Sequence, residues 1–282
     1  MALVTLAALC MALLYLIFKV FERREVPLLP AIVVNYFTAA LCGAMVTSPW
    51  SGGIPSTLLA PAAGLGLLFI TIFYLTALST QRAGVAATSV AGKMSLVLTV
   101  LFTVIFMHER PTEMGWAGIV LALIAVPLAS CTIGAPGARG AWVLPTLLFF
   151  GNAAIDISLN LVQRNLLEPR TEAMFPMLVF AVAGLLGLAY LLLRSQHAAL
   201  AHPKALVGGL VLGAVNYASL YFLVAALARS GFGTSSVFPL MNIGVILFST
   251  AIGLFLLRDR LSRVQWTGIA LAVLAMVMIL RA

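Results

Sequence analysis

ERPTEMGWAGIVLALIAV, residues 109–126, returns as DRLSRVQWTGIALAVLAM at 259–276. Glu109 answers to Asp259, Arg110 to Arg260, Trp116 to Trp266 and Gly118 to Gly268, all at one spacing. Upstream, GVAATSVAGKM (84–94) answers to GFGTSSVFPLM (231–241), and this second spacing also matches Tyr74 with Tyr221 and Arg82 with Arg229. The downstream spacing is three residues longer, so the ninth apolar segment or its approach carries an insertion. A chain made of two related apolar halves is the pattern of a membrane protein with a substrate path at the seam between them.

Composition puts the chain in the bilayer. Hydrophobic residues make up 63% of the 282 residues and charged ones 9%, too little charge to cover a soluble surface. About 20 apolar residues cross the hydrocarbon core, and on that measure the sequence holds ten spans. They are 2–21, 29–48, 59–80, 85–107, 113–132, 141–163, 173–194, 205–228, 234–257 and 263–281. The loops are short and leave no room for a soluble catalytic or regulatory domain. The net charge of +8 is spread over loops, which reads as a topology signal at the membrane surface and not as a nucleic-acid footprint. The first span lacks a basic leader and a small-residue cleavage pattern, so it reads as a retained span. Cys10, Cys42 and Cys131 have neither disulfide nor metal-ligand spacing and read as buried thiols.

Five spans per half is an odd number, so the second half enters the membrane the other way up. The expected fold is an all-α membrane protein of ten transmembrane helices in two inverted five-helix repeats, 1–132 and 141–282, about an axis in the membrane plane. Gly209 with Gly213, and Ala39 with Gly43, supply small-residue contacts between helices. Ser262 and Gln265 read as a capping box opening the last span.

These motifs resemble the ten-helix drug/metabolite transporter superfamily, in its EamA-domain branch. There an acidic residue closes the fourth and ninth spans, a polar cap follows, and a Gly-rich span ends each half. The stretches here are MHERPTEMGWAGIVLAL and LRDRLSRVQWTGIALAV. The resemblance implies a transporter of small solutes in a bacterial inner (plasma) membrane, and weakly favours export of amino acids or related metabolites. One position departs from the pattern. The family commonly has a proline early in both the fourth and ninth spans; Pro239 is present, but the fourth span has Gly92-Lys93 there.

Polar residues inside the spans are the candidate site. A lysine at mid-helix costs about 2.5–3.5 kcal/mol on insertion scales, so Lys93 needs a compensating partner. It reads as the group that binds a substrate carboxylate or phosphate or as a proton-coupled site, the alternative being a lysine that snorkels to the interface or pairs structurally with an acid. Asn152, Asp156 and Asn160 recur every fourth residue in the sixth span, which stacks them on one face. Asp156 is placed to neutralise Lys93, to carry a coupling proton or to contact a substrate amine; if the two do not meet, they hold opposite ends of a zwitterion. Tyr15, Asn35, Tyr36, Tyr74, Asn216, Tyr217, Tyr221 and Asn242 complete the set, with packing as the alternative role of each aromatic. Ser235 and Ser236 precede Pro239 in the ninth span. Thr99 and Thr103 read as bonded back to their own helix. Gly92 and Pro239 are hinge candidates, Pro239 equally a tolerated proline. Glu109 and Asp259 flank Arg110 and Arg260 and read as surface ion pairs.

No HExxH or equivalent ligand set marks a metal site, and His108, His197 and His202 lie in or beside loops. No buried histidine serves a nucleophilic serine, so an intramembrane enzyme is the weaker rival and a lipid flippase or scramblase the stronger. No GxxxxGK[ST] loop binds ATP, and no cofactor is expected. Energy then comes from protons or a counter-substrate. An even span count puts both termini on one side. The cations after the first span (Lys19, Arg23, Arg24) place the termini outside by the positive-inside rule, whereas the resemblance implies both inside.

Overall fold

The computed structural model describes residues 2–47, 53, 55–106, 112–130, 143–167, 171, 174–195, 197–229, 234–258 and 260–281. Regular structure among them is helical: α1 (Ala2–Arg23), α2 (Leu28–Thr47), α3 (Leu59–Ala83), α4 (Val85–Met94), α5 (Leu96–Phe106), α6 (Glu113–Ser130), α7 (Val143–Leu166), α8 (Met174–Leu193), α9 (Pro203–Arg229), α10 (Thr234–Ala251) and α11 (Arg263–Leu280). With α4 and α5 counted as one span, nine described segments are long and apolar enough to cross a membrane, and a tenth, Glu113–Ala129, is apolar but shorter. Helices dominate because each backbone N–H and C=O must find its partner within the segment when water is excluded.

The fourth span departs from the sequence reading. Residues 85–107 read as one helix, but the chain breaks at Ser95 into α4 and α5. Ser95 adopts φ −51°, ψ −27°, close to 3₁₀ geometry. Its hydroxyl donates to the Gly92 carbonyl at 2.8 Å, and its own carbonyl accepts from the Leu98 and Thr99 amides at 2.9 and 3.2 Å. The side chain and the tightened turn thus meet backbone needs that a plain break in lipid would leave open. In the matching span, α10 runs unbroken through Pro239 and ends in a π turn, Ile252–Leu256, closed by the Leu257 amide on the Ile252 carbonyl. A π turn takes up extra chain, and this one lies where the repeat spacing lengthens.

The chain forms two compact units, each drawing on both sequence halves. One combines Met1–Lys19, Leu75–Ala153 and Ala218–Ala282; the other combines Val20–Tyr74 and Ala154–Tyr217.

In the first unit the repeated stretches quoted above pack on each other as α6 and α11. Buried Ile119, Ala122, Ala125 and Val126 match buried Ile269, Ala272, Ala275 and Met276 along this seam. The contact is reciprocal. A Cβ on Gly118 would lie 2.9–3.1 Å from Ile279, Ala275 and Met278, while one on Gly268 would lie 2.2–2.7 Å from Leu128 and Ala129. The start of each helix thus rests on the end of the other, an antiparallel pair whose contacts repeat as two-fold symmetry demands. Both helices also open on matching caps. Ser262 and Gln265 form the capping box, and Thr112 accepts from the Gly115 amide at 3.2 Å.

In the second unit α8 packs against α2, with Gly184 against Phe37 and Gly187 against Val33 and Ile70. Gly209 and Gly213 of α9 seat on α2: a Cβ on either would come within 2.6 Å of the Ala31 or Asn35 carbonyl. Gly43 meets Met177. Without a hydrophobic force between helices in lipid, these backbone approaches supply the packing energy.

Gly268 and Gly118 give a graded test. At Gly268 a methyl meets backbone that cannot swing aside, so Gly268→Ala is expected to destabilise by about 1–3 kcal/mol. At Gly118 the nearest atom is the movable Ile279 side chain, and the helix propensity gained from alanine, up to about 1 kcal/mol, offsets the crowding. Thermal midpoints of the purified variants in detergent should fall clearly for the first and little for the second; equal midpoints would contradict the asymmetry.

Candidate functional site

The polar candidates divide between the two units. In the first, Lys93 occupies the last turn of α4, directly before the break at Ser95. A helix favours a cation in its last turn, and Lys93 stands in the last turn of α4. Lys93 is half-buried, and its ammonium lies 3.4 Å from the Met11 sulfur on α1, a weak acceptor. One residue earlier, Gly92 leaves open the space beside Tyr15 and Asn152: a Cβ there would sit 3.5 Å from the Tyr15 hydroxyl and 3.6 Å from the Asn152 amide nitrogen. That nitrogen donates back to the Leu148 carbonyl at 2.8 Å. Met11, Tyr15, Gly92, Lys93 and Asn152 therefore gather from α1, α4 and α7.

Hydroxyls fasten α4 in place. Thr88 pairs with Ser79 of α3 at 2.8 Å and Ser89 with Ser249 of α10 at 2.6 Å. Both also donate to carbonyls of their own turn, Gly84 and Ala86. Thr99 corrects the sequence reading. Its hydroxyl makes no bond to its own helix and is buried without a partner among the described residues. Asn242 and Pro239 on α10 are buried, the asparagine standing where the repeat places Ser95. The break lies three residues beyond Gly92, and α10 shows none at Pro239.

In the second unit Asn35 and Asn216 turn towards each other. The Asn216 amide donates to the Asn35 side-chain oxygen at 3.2 Å, tying α9 to α2 beside the Gly209–Gly213 contact. Asn216 is thus at least partly structural. Tyr36 packs among Phe73 and Phe180, ring centroids 5.6 and 5.9 Å away, and Phe180 lies 5.9 Å from Phe69. The Tyr36 side chain is 1% exposed, yet its hydroxyl has no hydrogen-bond partner among the described residues. The same holds for the Asn160 side-chain oxygen on α7. Asp156 lies on α7 between Asn152 and Asn160 and is half-buried, as are Tyr74 and Tyr217; Tyr221 is exposed.

Glu109, Arg110, Cys131 and Asp259 lie outside the described residues, as do the side chains of Thr103, Ser235 and Ser236. Cys10 and Cys42 are free thiols.

Apolar spans packed through glycines, with one span interrupted beside an intramembrane lysine, define a multi-span helical membrane protein. Residues 1–131 match the EamA-like transporter family. It is 27% identical over 276 residues to an uncharacterized protein of Haemophilus influenzae, a match covering 93% of this chain and 92% of that protein. A solved crystal structure shares the fold, with a TM-score of 0.59 at 16% identity over 96% of this chain and 97% of the other.

Burying a polar group without a partner costs about 1–3 kcal/mol, so the Tyr36 hydroxyl gives a clean test. Tyr36→Phe is expected to leave the thermal midpoint equal to or above that of the wild type, because only an unpaired hydroxyl is lost. A lower midpoint would mean that the hydroxyl has a structural partner.

Proposed function

We propose that the protein is a secondary transporter of small organic metabolites, amino acids or related solutes. It exports or exchanges them across a bacterial inner membrane by alternating access of two inverted halves, 1–132 and 141–282. The observation that carries this reading is Lys93 in the last turn of a span interrupted near its middle. Discontinuous helices are where transporters of inverted-repeat build hold substrate and coupling ions, and an intramembrane ionisable residue is a functional site by default. Lys93 takes the substrate carboxylate. Asp156 takes the amine or a coupling proton. Tyr36, Asn160, Asn152, Tyr74, Tyr217 and Asn242 bond the remaining polar groups, and the unpartnered Tyr36 and Asn160 atoms support that role. Gly92 and Pro239 give the fourth and ninth spans the freedom to move.

A thermal-shift screen of the purified protein against the L-amino acids tests the reading. A ligand that binds only the folded state stabilises it by about 2.7 kcal/mol at a hundredfold excess over Kd. Lys93→Met and Asp156→Asn should each abolish the shift and the matching uptake into vesicles. A shift that survives both substitutions would remove these residues from the site. If the double variant regains what each single one loses, the two form a structural pair and not two halves of a binding site.

Both termini lie on one face of the membrane in this reading. Cysteines introduced at positions 2 and 282, in a chain with Cys10, Cys42 and Cys131 replaced, should react alike with a membrane-impermeant reagent on intact cells. Opposite labelling would break the ten-span arrangement.

A further inference from the structure

Three loop cations that composition alone assigns to topology meet in the first unit. Lys19 at the end of α1, Arg82 at the end of α3 and Arg260 before α11 line a cavity of about 220 Å³, together with Gln81, Gly84, Ala86, Ala87 and Gln265. None of the described lining residues is acidic. The Lys19 ammonium is positioned by the Gln81 carbonyl at 2.9 Å, and the Gln81 amide in turn donates to the Phe18 carbonyl at 3.2 Å. Gln265 is held by the capping box, its side-chain oxygen accepting from the Ser262 amide at 2.9 Å, so its amide nitrogen is the end left to donate elsewhere.

The floor of the cavity is the first turn of α4. Gly84 precedes it at φ 91°, ψ 164°, with no side chain capping the turn. The Thr88 amide donates to the Gly84 carbonyl at 3.3 Å, and the preceding amides of Ala86 and Ala87, in the first turn, have no intrahelical acceptor and lie in the cavity wall. A helix N-terminus carries partial positive charge and binds anions through such amides. Two arginines and a lysine lining the same cavity supply the donor types that recognise a phosphoryl group.

We propose that this cavity binds a phosphate-bearing anion at the membrane surface opposite the termini, separately from the Lys93 site. A lipid headgroup and a soluble phosphorylated metabolite offer the same chemistry. The repeat gives Arg82 and Arg260 counterparts in Arg229 and Arg110, as expected of a site built into the fold rather than a one-sided orientation signal.

The test is the thermal midpoint of the purified protein with inorganic phosphate, or in nanodiscs of phosphatidylglycerol against phosphatidylcholine, each at matched ionic strength. At least one probe should raise the wild-type midpoint by several degrees. Arg82→Gln with Arg260→Gln, both exposed positions, should lose most of that rise, while Lys93→Met keeps it. A response to phosphate alone identifies a soluble anion, to phosphatidylglycerol alone a lipid headgroup, and to both a site that accepts either. No response in the wild type, or an equal one in the double variant, overturns the proposal. Loss of the response in Lys93→Met would assign the anion to the transport site instead.

Discussion

In hydrocarbon a backbone amide or carbonyl has no water to turn to, and each departure from a regular helix needs a replacement bond from the chain itself. That constraint explains where this protein is irregular and how it tolerates being so. The fourth span breaks at Ser95, whose own hydroxyl and carbonyl answer the groups released there. The ninth ends in a π turn that keeps its hydrogen bonds while taking up extra chain. The irregularity also leaves Lys93 in the last turn of α4, a position that favours a cation.

Packing follows from the same solvent. Lipid tails compete with leucine as well as another helix does, so association rests on close approach and shared hydroxyls. Gly268 lies against the backbone of Leu128 and Ala129, Gly209 against the Ala31 carbonyl, and Gly213 against the Asn35 carbonyl. Hydroxyl pairs from Thr88 to Ser79 and from Ser89 to Ser249 hold α4 on two neighbours. The helix carrying Lys93 is therefore among the most tightly fastened on its first turns and interrupted directly after the lysine.

The buried polar inventory separates structure from candidate function. Asn35 and Asn216 satisfy each other. Thr88 and Ser89 are fully engaged. Tyr36, buried, and Asn160, half-buried, each keep a buried side-chain oxygen without a partner among the described residues, as do Thr99 and Thr250.

Much was legible from residues alone. Apolar lengths located the spans to within a few residues, because hydrocarbon thickness sets helix length. Ser262 with Gln265 foretold a capping box, because it depends on local spacing; the match of Gly118 with Gly268 marked a repeat, and only the fold shows that the two repeated helices pack on each other. The break at Ser95 was not legible: serine is ordinary in helices, and only the placed hydroxyl on Gly92 shows the turn. Thr99 read as bonded to its own helix, which spacing permits and the side-chain rotamer decides. Lys19, Arg82 and Arg260 read as scattered topology charges, for they lie far apart in sequence. What brings them to one cavity is the packing of α1, α3 and the approach to α11 around the first turn of α4. Sequence determined which segments enter the membrane and which residues are costly there; tertiary structure decided which of those residues meet, because contact depends on helix rotation and depth that no single segment encodes.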